Sequence, residues 1–268
     1  MSDDNLVSYQ LDGAVALIGL NRPDKRNAIN DAVIQALQAA VQRAHDEAQV
    51  AVLHGHGANF CAGLDLAEAL ARATGKIMAA RKRKRHNWHV VFDEIERGPI
   101  PFVAALQGAV VGGGLELAMA AHVRVCDRSA FFGLPEGQRG IFVGGGGTVR
   151  IQRVVGTTVM TDMMLTGRLL NPDEALAEHL VRYVEPEGQA LDKARALAAR
   201  IAQNTLETNW KIVNVLPRVM DLSHDDGLFM EQLNSAMARP PEVEQRLREF
   251  VEGRAKPLRG EGADGEGR

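Results

Sequence analysis

Cysteine is nearly missing from this chain: Cys61 and Cys126 are the only two, and neither has a CxxC partner or Cys/His ligand spacing. Isolated thiols in apolar or glycine-rich runs read as reduced packing residues. Long apolar runs are missing as well. No stretch of about 18 apolar residues occurs, and the first ten residues, MSDDNLVSYQ, are acidic and lack an apolar core. Neither membrane spanning nor secretion is therefore expected, and the expected compartment is the cytoplasm. Charge of one sign is also lacking, since 31 basic and 34 acidic residues leave a formal net charge of −3. Nucleic acid and anionic membrane are thus not attracted globally, and any anion site must be local. Aromatics make up only 4% of residues, and no aromatic-interleaved strand supports RNA readout. GHGANF fails the dinucleotide fingerprint at Phe60, and no Walker sequence is present.

What the chain does have is apolar residues (46%) and 27 glycines, enough for a substantial core interrupted by tight loops. Residues 6–20 read as a hairpin turning at Asp12-Gly13. A helix follows through Ala32, Val33, Ala36, Leu37, Ala40, Val41 and Ala44, with Asn30 as its N-cap. Val50 to Leu53 reads as a short buried strand, and a helical stretch runs to about Arg72. Phe102 to Val111 reads as one strand, Leu115 to Ala121 as a short helix, and Val123 to Cys126 and Ala130 to Phe132 as further strands. This alternation is that of an α/β core. From Gly144 onward the pattern is helical: 148–155, 158–165, 172–179, 191–203, 206–219, 227–237 and 242–252.

Chemistry concentrates at the glycine loops. Gly112-Gly113-Gly114-Leu115-Glu116 runs from strand into helix, where unpaired N–H groups with aligned dipoles stabilise negative charge. Glu116 falls in the first helical turn beside that point. The blander alternative is that these glycines only permit tight packing and that Glu116 complements the helix dipole. The loop His54 to Asp65 offers a second N–H near Gly63 or Leu64, so that a two-donor oxyanion hole can be built. Phe131-Phe132-Gly133-Leu134-Pro135-Glu136 then brings a second carboxylate among apolar side chains. Desolvation there favours the protonated form, which suits a proton donor.

The segments PDKRNAIN, NFCAGLDL, GAVVGGGLELAMAAHVRV, FGLPE, GGGGTVRIQRVVG and LTGRLLNPDEAL, in this order and spacing over about residues 5–255, resemble the enoyl-CoA hydratase/isomerase (crotonase) family. The resemblance implies a crotonase-type (ClpP/crotonase-like) α/β spiral of strand-strand-helix units with a helical C-terminal region. It implies a core over 1–195 holding the acyl-CoA site and a helical oligomerisation region over 196–258, while the polar, glycine-rich end of the chain reads as a disordered tail over 259–268. Leu64 and Gly113 would give the oxyanion-hole N–H groups, and Glu116 and Glu136 would be the catalytic pair. Arg22, Lys25, Ala62, Asp65, Leu66 and Phe142 would bind substrate or coenzyme A, with Arg254 and Lys256 contributing across a subunit interface. The implied activity is hydration of a 2-enoyl-CoA by a homotrimer or dimer of trimers, with no metal and no cofactor beyond the coenzyme A of the substrate. Double-bond isomerisation is the catalytic alternative, and an RNA-binding member of the same fold the non-catalytic one. The chain departs from the family at Gly253 and Leu258, where a lysine and an aromatic are usual, and at Gln107, where many relatives carry Asn.

Other signals read as structural. Arg81-Lys82-Arg83-Lys84-Arg85 reads as a solvated face or a phosphate contact. His54 and His56 lack a third metal ligand at suitable spacing. Ser223-His224-Asp225 reads as a helix start, because consecutive residues cannot converge as a triad. His86, Trp88 and His89 fall in a segment that, by the resemblance, walls the acyl pocket, with solvent or core placement as the alternative.

Overall fold

The computed structural model describes residues 6–74, 87–237 and 241–254. The basic run Arg81 to Arg85, His86 and Lys256 lie outside the described residues. The chain divides at Pro217 into two compact units, 1–216 and 217–268.

In the first unit, β1 (Val7–Asp12) and β2 (Val15–Leu20) form the expected hairpin, paired from Val7↔Leu20 to Asp12↔Val15. Helix α1 (Asp31–Glu47) starts where the Asn30 side chain accepts the Val33 N–H at 2.9 Å, and it buries Val33, Ile34, Leu37, Ala40, Val41 and Ala44. There follow β3 (Val50–Gly55), α2 (Leu66–Ala73), α3 (Asn87–Arg97), β4 (Phe102–Leu106), β5 (Ala109–Val111), α4 (Gly113–Ala118), β6 (Val123–Asp127) and β7 (Phe131–Gly133). Then come α5 (Gly147–Thr166), β8 (Leu169–Leu170), α6 (Pro172–Ala177), β9 (Tyr183–Glu185), α7 (Ala190–Ile201) and α8 (Leu206–Val219), which runs across the division.

The large sheet has the order β1-β2-β3-β4-β6-β9, parallel except for its first pair, and β5-β7-β8 form a small second sheet. Parallel strands need helical crossovers, which cover both faces and make the strands uniformly apolar. Alternation along β2 shows this. Ala16, Ile18 and Leu20 join the cluster that includes α1 and Phe92 and Ile95 of α3, whereas Val15 and Leu17 join Val52, Val103 and Val125 against Ala190, Ala194 and Ala198 of α7. Alanine at every fourth position of α7 lets that helix approach the sheet closely. Each fully buried Phe or Leu contributes about 1.5–3 kcal/mol.

The mixed α/β architecture with a helical C-terminal region matches the expectation, with three corrections. Residues 102–111 are two strands in different sheets. The chain turns between them at Gly108, φ 53°, while the Gln107 side chain donates to the Gly55 carbonyl at 2.7 Å. Both halves are buried, so no periodicity marks the break. The region after Gly144 is not wholly helical, since β8 pairs with β7 and β9 pairs with β6. Helix α3 was not foreseen. Helix α5 breaks at Gly156 (φ 77°, ψ 160°), in keeping with two expected helices.

The second unit contains α9 (His224–Ala236) and α10 (Pro241–Val251). Ser223 caps α9 by accepting the Asp226 N–H at 3.2 Å, as a helix start would. Leu228, Phe229, Leu233, Phe250 and Val251 are exposed within it. No helix among the described residues is long and apolar enough to cross a membrane.

Candidate active site

Two glycine loops meet in the first unit. The loop after β3 runs beside β5: the Cys61 N–H donates to the Ala109 carbonyl at 2.9 Å and the Val111 N–H to the Cys61 carbonyl at 3.1 Å. Gly63, at φ 88°, then turns so closely that a β-carbon there would lie 3.1 Å from the Gly113 nitrogen. Beyond it, the Asp65 N–H donates to the Ile29 carbonyl at 2.8 Å, while Ile29 donates to Gly63 at 2.7 Å. The N–H groups of Leu64, between those bonds, and of Gly113, at the first position of α4, have no backbone acceptor among the described residues.

Gly113 must be glycine because Trp88 packs against it. A β-carbon there would strike the Trp88 indole. Trp88 is buried in the main hydrophobic cluster and also lines the cavity, so it meets the core and the pocket-wall expectations together.

A cavity of about 340 Å³ opens at this junction, lined by Leu64, Gly113, Trp88, Glu116, Glu136 and Phe142, with Asn30, Asp31, Glu68, Ala69, Ile141, Gly144 and Gly145 around them. Both glutamates are buried, Glu116 at 2% and Glu136 at 6% exposure. Their surroundings differ. Glu116 Oε1 accepts two backbone N–H groups, from Gly145 and Gly147, each at 2.8 Å. Its orientation is thereby fixed, and Oε2 is left to interact elsewhere. Glu136 Oε2 is buried without a hydrogen-bond partner. Burial pushes the Glu136 carboxyl above the ordinary range, and the nearby Glu116 adds to this, against the lowering pull of a backbone N–H and Arg139. The direction agrees with the desolvation expected from its apolar neighbours in sequence.

A second cavity of about 420 Å³ shares Leu64 with the first and is lined by Lys25, Arg26, Ala62, Asp65, Leu66, Gln138 and Arg139, among others. Of the residues expected to bind substrate or coenzyme A, Lys25, Ala62, Asp65 and Leu66 lie here and Phe142 in the first cavity. Arg22 lines neither. It donates to the Ala28 carbonyl at 2.6 Å and to Asp65 at 3.1 Å, bracing the loops that form the cavity. Asp65 also accepts the Ala67 N–H at 3.2 Å as α2 begins. Arg254 belongs to the second unit, where it is exposed and pairs with Glu252.

Sequence reasoning missed Arg26 and Arg139 and the Gly145 and Gly147 donors. The run Gly144 to Gly147 ahead of α5 was the available signal, since it places free N–H groups at a helix start as the Gly112 loop does. His54 and His56 are structural neighbours, ring centroids 5.0 Å apart, with Ser8 2.7 Å from His56 Nε2. Burial, and then the His56 beside it, pushes His54 down to about 4. Cys61 and Cys126 are both buried and free, as expected of packing residues.

Two buried carboxylates thus line one cavity together with Leu64 and Gly113, whose N–H groups have no backbone acceptor among the described residues. A family model described as enoyl-CoA hydratase/isomerase matches residues 10–257. The chain belongs to that family, whose members act on acyl-CoA thioesters. It is 31% identical over 264 residues to a protein named "Probable enoyl-CoA hydratase" from Bacillus subtilis (strain 168), covering 96% of this chain and 100% of the relative. A solved structure titled "putative enoyl-CoA hydratase" from Rhodopseudomonas palustris CGA009 superposes with a TM-score of 0.83 at 41% identity, covering 92% of this chain and 95% of that one. The fatty acid oxidation complex subunit alpha of Shewanella frigidimarina (strain NCIMB 400) is 45% identical over 151 residues, 56% of this chain and 21% of that longer protein.

Proposed function

We propose that this protein is an enoyl-CoA hydratase, adding water across the 2,3 double bond of an acyl-CoA thioester. The observation that carries the reading is the unlike pair on one cavity: Glu116, tied by Oε1 to two N–H groups, and Glu136, buried with an unpartnered oxygen and a raised pKa. In this reading the thioester oxygen accepts the N–H groups of Leu64 and Gly113, which draws electron density from the conjugated double bond. Glu116 Oε2 orients a water and takes its proton as the oxygen bonds to Cβ. The π electrons move toward the enolate, and Glu136 delivers its proton to Cα. Water is consumed, nothing is oxidised or reduced, and the reaction calls for no cofactor beyond the coenzyme A of the substrate. Lys25, Arg26 and Arg139 on the second cavity suit the phosphates of coenzyme A, with Leu64 between that cavity and the reacting carbons.

Loss of the conjugated-enoyl absorbance over a panel of 2-enoyl-CoA thioesters tests the reading. Turnover on at least one member is the expected result. A protein that shifts the double bond of a 3-enoyl-CoA without hydrating any 2-enoyl-CoA would be the isomerase, which needs only Glu136.

We also propose a homotrimer or dimer of trimers. Within the expected oligomerisation region Val213 is buried, but Leu216 and Met220 are exposed at 63% and 78%. In the second unit Phe229, Phe250 and Val251 are exposed as well. Light scattering that found an active monomer at micromolar concentration would remove the oligomer from this reading.

A further inference from the structure

Arg150 is 7% exposed, lies outside both cavities, and so far has no part in the chemistry. A guanidinium cannot shed its charge, so burial requires partners for its fixed fork of donors. They come from two directions. On one side are two carboxylates of α3: Nε donates to Glu96 at 2.9 Å, and Nη2 reaches Asp93 at 2.5 Å and Glu96 at 2.8 Å. On the other side Nη1 donates to the Gly145 carbonyl at 3.1 Å.

Gly145 is the residue whose N–H holds Glu116 Oε1. A run of four glycines has the least conformational preference of any loop, and ordering it costs backbone entropy of about 1–2 kcal/mol per residue. Three of the four positions bar a side chain, and only Gly144 has open space around it. A β-carbon on Gly145 or Gly147 would crowd the Glu116 carboxylate at 3.2 and 2.9 Å, and one on Gly146, at φ 98°, would strike Arg150 itself. Gly145 to Gly147 must be bare because Glu116 and Arg150 lie against them, so contacts from outside these three residues must hold them.

We propose that Arg150 is a positioning residue for Glu116: it clamps the Gly145 peptide to α3, and that peptide in turn fixes the oxygen that sets the aim of Oε2. The proposal rests on the reading of Glu116 as the water-activating base. It also links two walls of the site, because α3 carries Trp88, which packs on Gly113 beside the other donor.

Replacing Arg150 by Met keeps an apolar stem and removes the clamp. The expected result is a fall in kcat of about 10-fold or more, since small misplacements of catalytic groups cost up to about 10²-fold, with KM held within about two-fold. Arg150→Lys should recover part of kcat, because one ammonium cannot serve Gly145 and both carboxylates together. In a Glu116→Gln background, Arg150→Met should cost less than about two-fold more, because the residue it positions no longer works. Losses that multiply would overturn the proposal, leaving Arg150 a packing residue, even with Glu116 confirmed as the base. If Arg150→Met does not fold, Glu96→Gln is used in the same cycle, with a smaller loss and the same non-additivity expected.

Amide hydrogen exchange provides a readout free of activity. Exchange at Gly145 and Gly147 should rise about 10-fold or more in Arg150→Met while the amides of β4 stay unchanged. Unchanged exchange at both glycines overturns the clamp whatever the kinetics. Failure of the unaltered protein to hydrate any enoyl-CoA, or a harmless Glu116→Gln, would instead sink the reading of the site, and the exchange result would still decide whether the clamp exists.

Discussion

The first turn of α4 and the loop after β7 each deliver one glutamate to the same cavity, and they treat it in opposite ways. At α4 the carboxylate meets donors: two N–H groups from the Gly144 to Gly147 run converge on a single oxygen. After β7 the carboxyl meets almost none. Its Oε2 is buried and unpartnered, and desolvation favours the proton. Identical side chains thus become a fixed acceptor and a reluctant anion, and the difference lies in which backbone each one faces. Addition of water needs that asymmetry, since one group must take a proton while the other gives one.

The largest effect should come from breaking the pair itself. Glu116→Gln and Glu136→Gln are each expected to lower kcat by at least about 10²-fold, because the amide keeps the shape and loses the proton transfer. In the unaltered protein, turnover should fall as pH rises through the raised Glu136 pKa, where the donor loses its proton. Initial rates on a 2-enoyl-CoA across pH check both, and near-normal hydration by either variant would end the two-carboxylate scheme.

In the proposed reading the two carboxylates share one oxyanion hole, and Gly113→Val tests whether both depend on it. The added side chain must displace Trp88 or α4, so a loss of about 10²–10³-fold in kcat is expected, comparable to removing one donor. Leu64→Ala keeps its N–H and should lose under about 10-fold. A structure with bound acyl-CoA in which Gly113 lies far from the thioester carbonyl would refute the assignment.

The smallest effect concerns stability and isolates the electrostatic half of the comparison. A carboxyl whose pKa is raised by folding stabilises the folded state fully at pH below its unfolded value. That contribution is lost as pH rises through the folded one. Glu136→Gln should therefore melt higher than the unaltered protein above that window and lose the advantage below the ordinary carboxylate range. Melting temperatures of the unaltered protein and Glu136→Gln at several pH values decide it, and a difference that does not change with pH would mean that burial does not favour the proton on Glu136.

Local chemistry made much of this legible beforehand. Asn30 ahead of an amphipathic stripe set the start of α1, the Asp12-Gly13 turn set the hairpin, and the loops drew attention to Glu116, Glu136 and a donor near Gly63 or Leu64, while the choice of Leu64 and Gly113 came from the family resemblance. Those signals depend on neighbours in the chain, so the chain alone carries them. The division of 102–111 into strands of two sheets and the short strands β8 and β9 were not legible, because burial on all sides erases periodicity or because pairing with a distant strand creates the element; helix α3 was missed although Trp88, Val91, Phe92 and Ile95 fall at helical spacing on its buried face.

The amino-acid sequence by itself determined which groups are candidates for the proposed chemistry: two carboxylates, and glycines bare enough to expose N–H donors. Only the tertiary structure decided what each carboxylate is. Glu116 met Gly145 and Gly147 across 29 and 31 residues, Trp88 closed over Gly113, and Arg150 joined the glycine loop to α3 across 54 residues. Acidity and orientation are set by the dielectric and the donors within a few ångströms, and only the folded packing of distant segments supplies those.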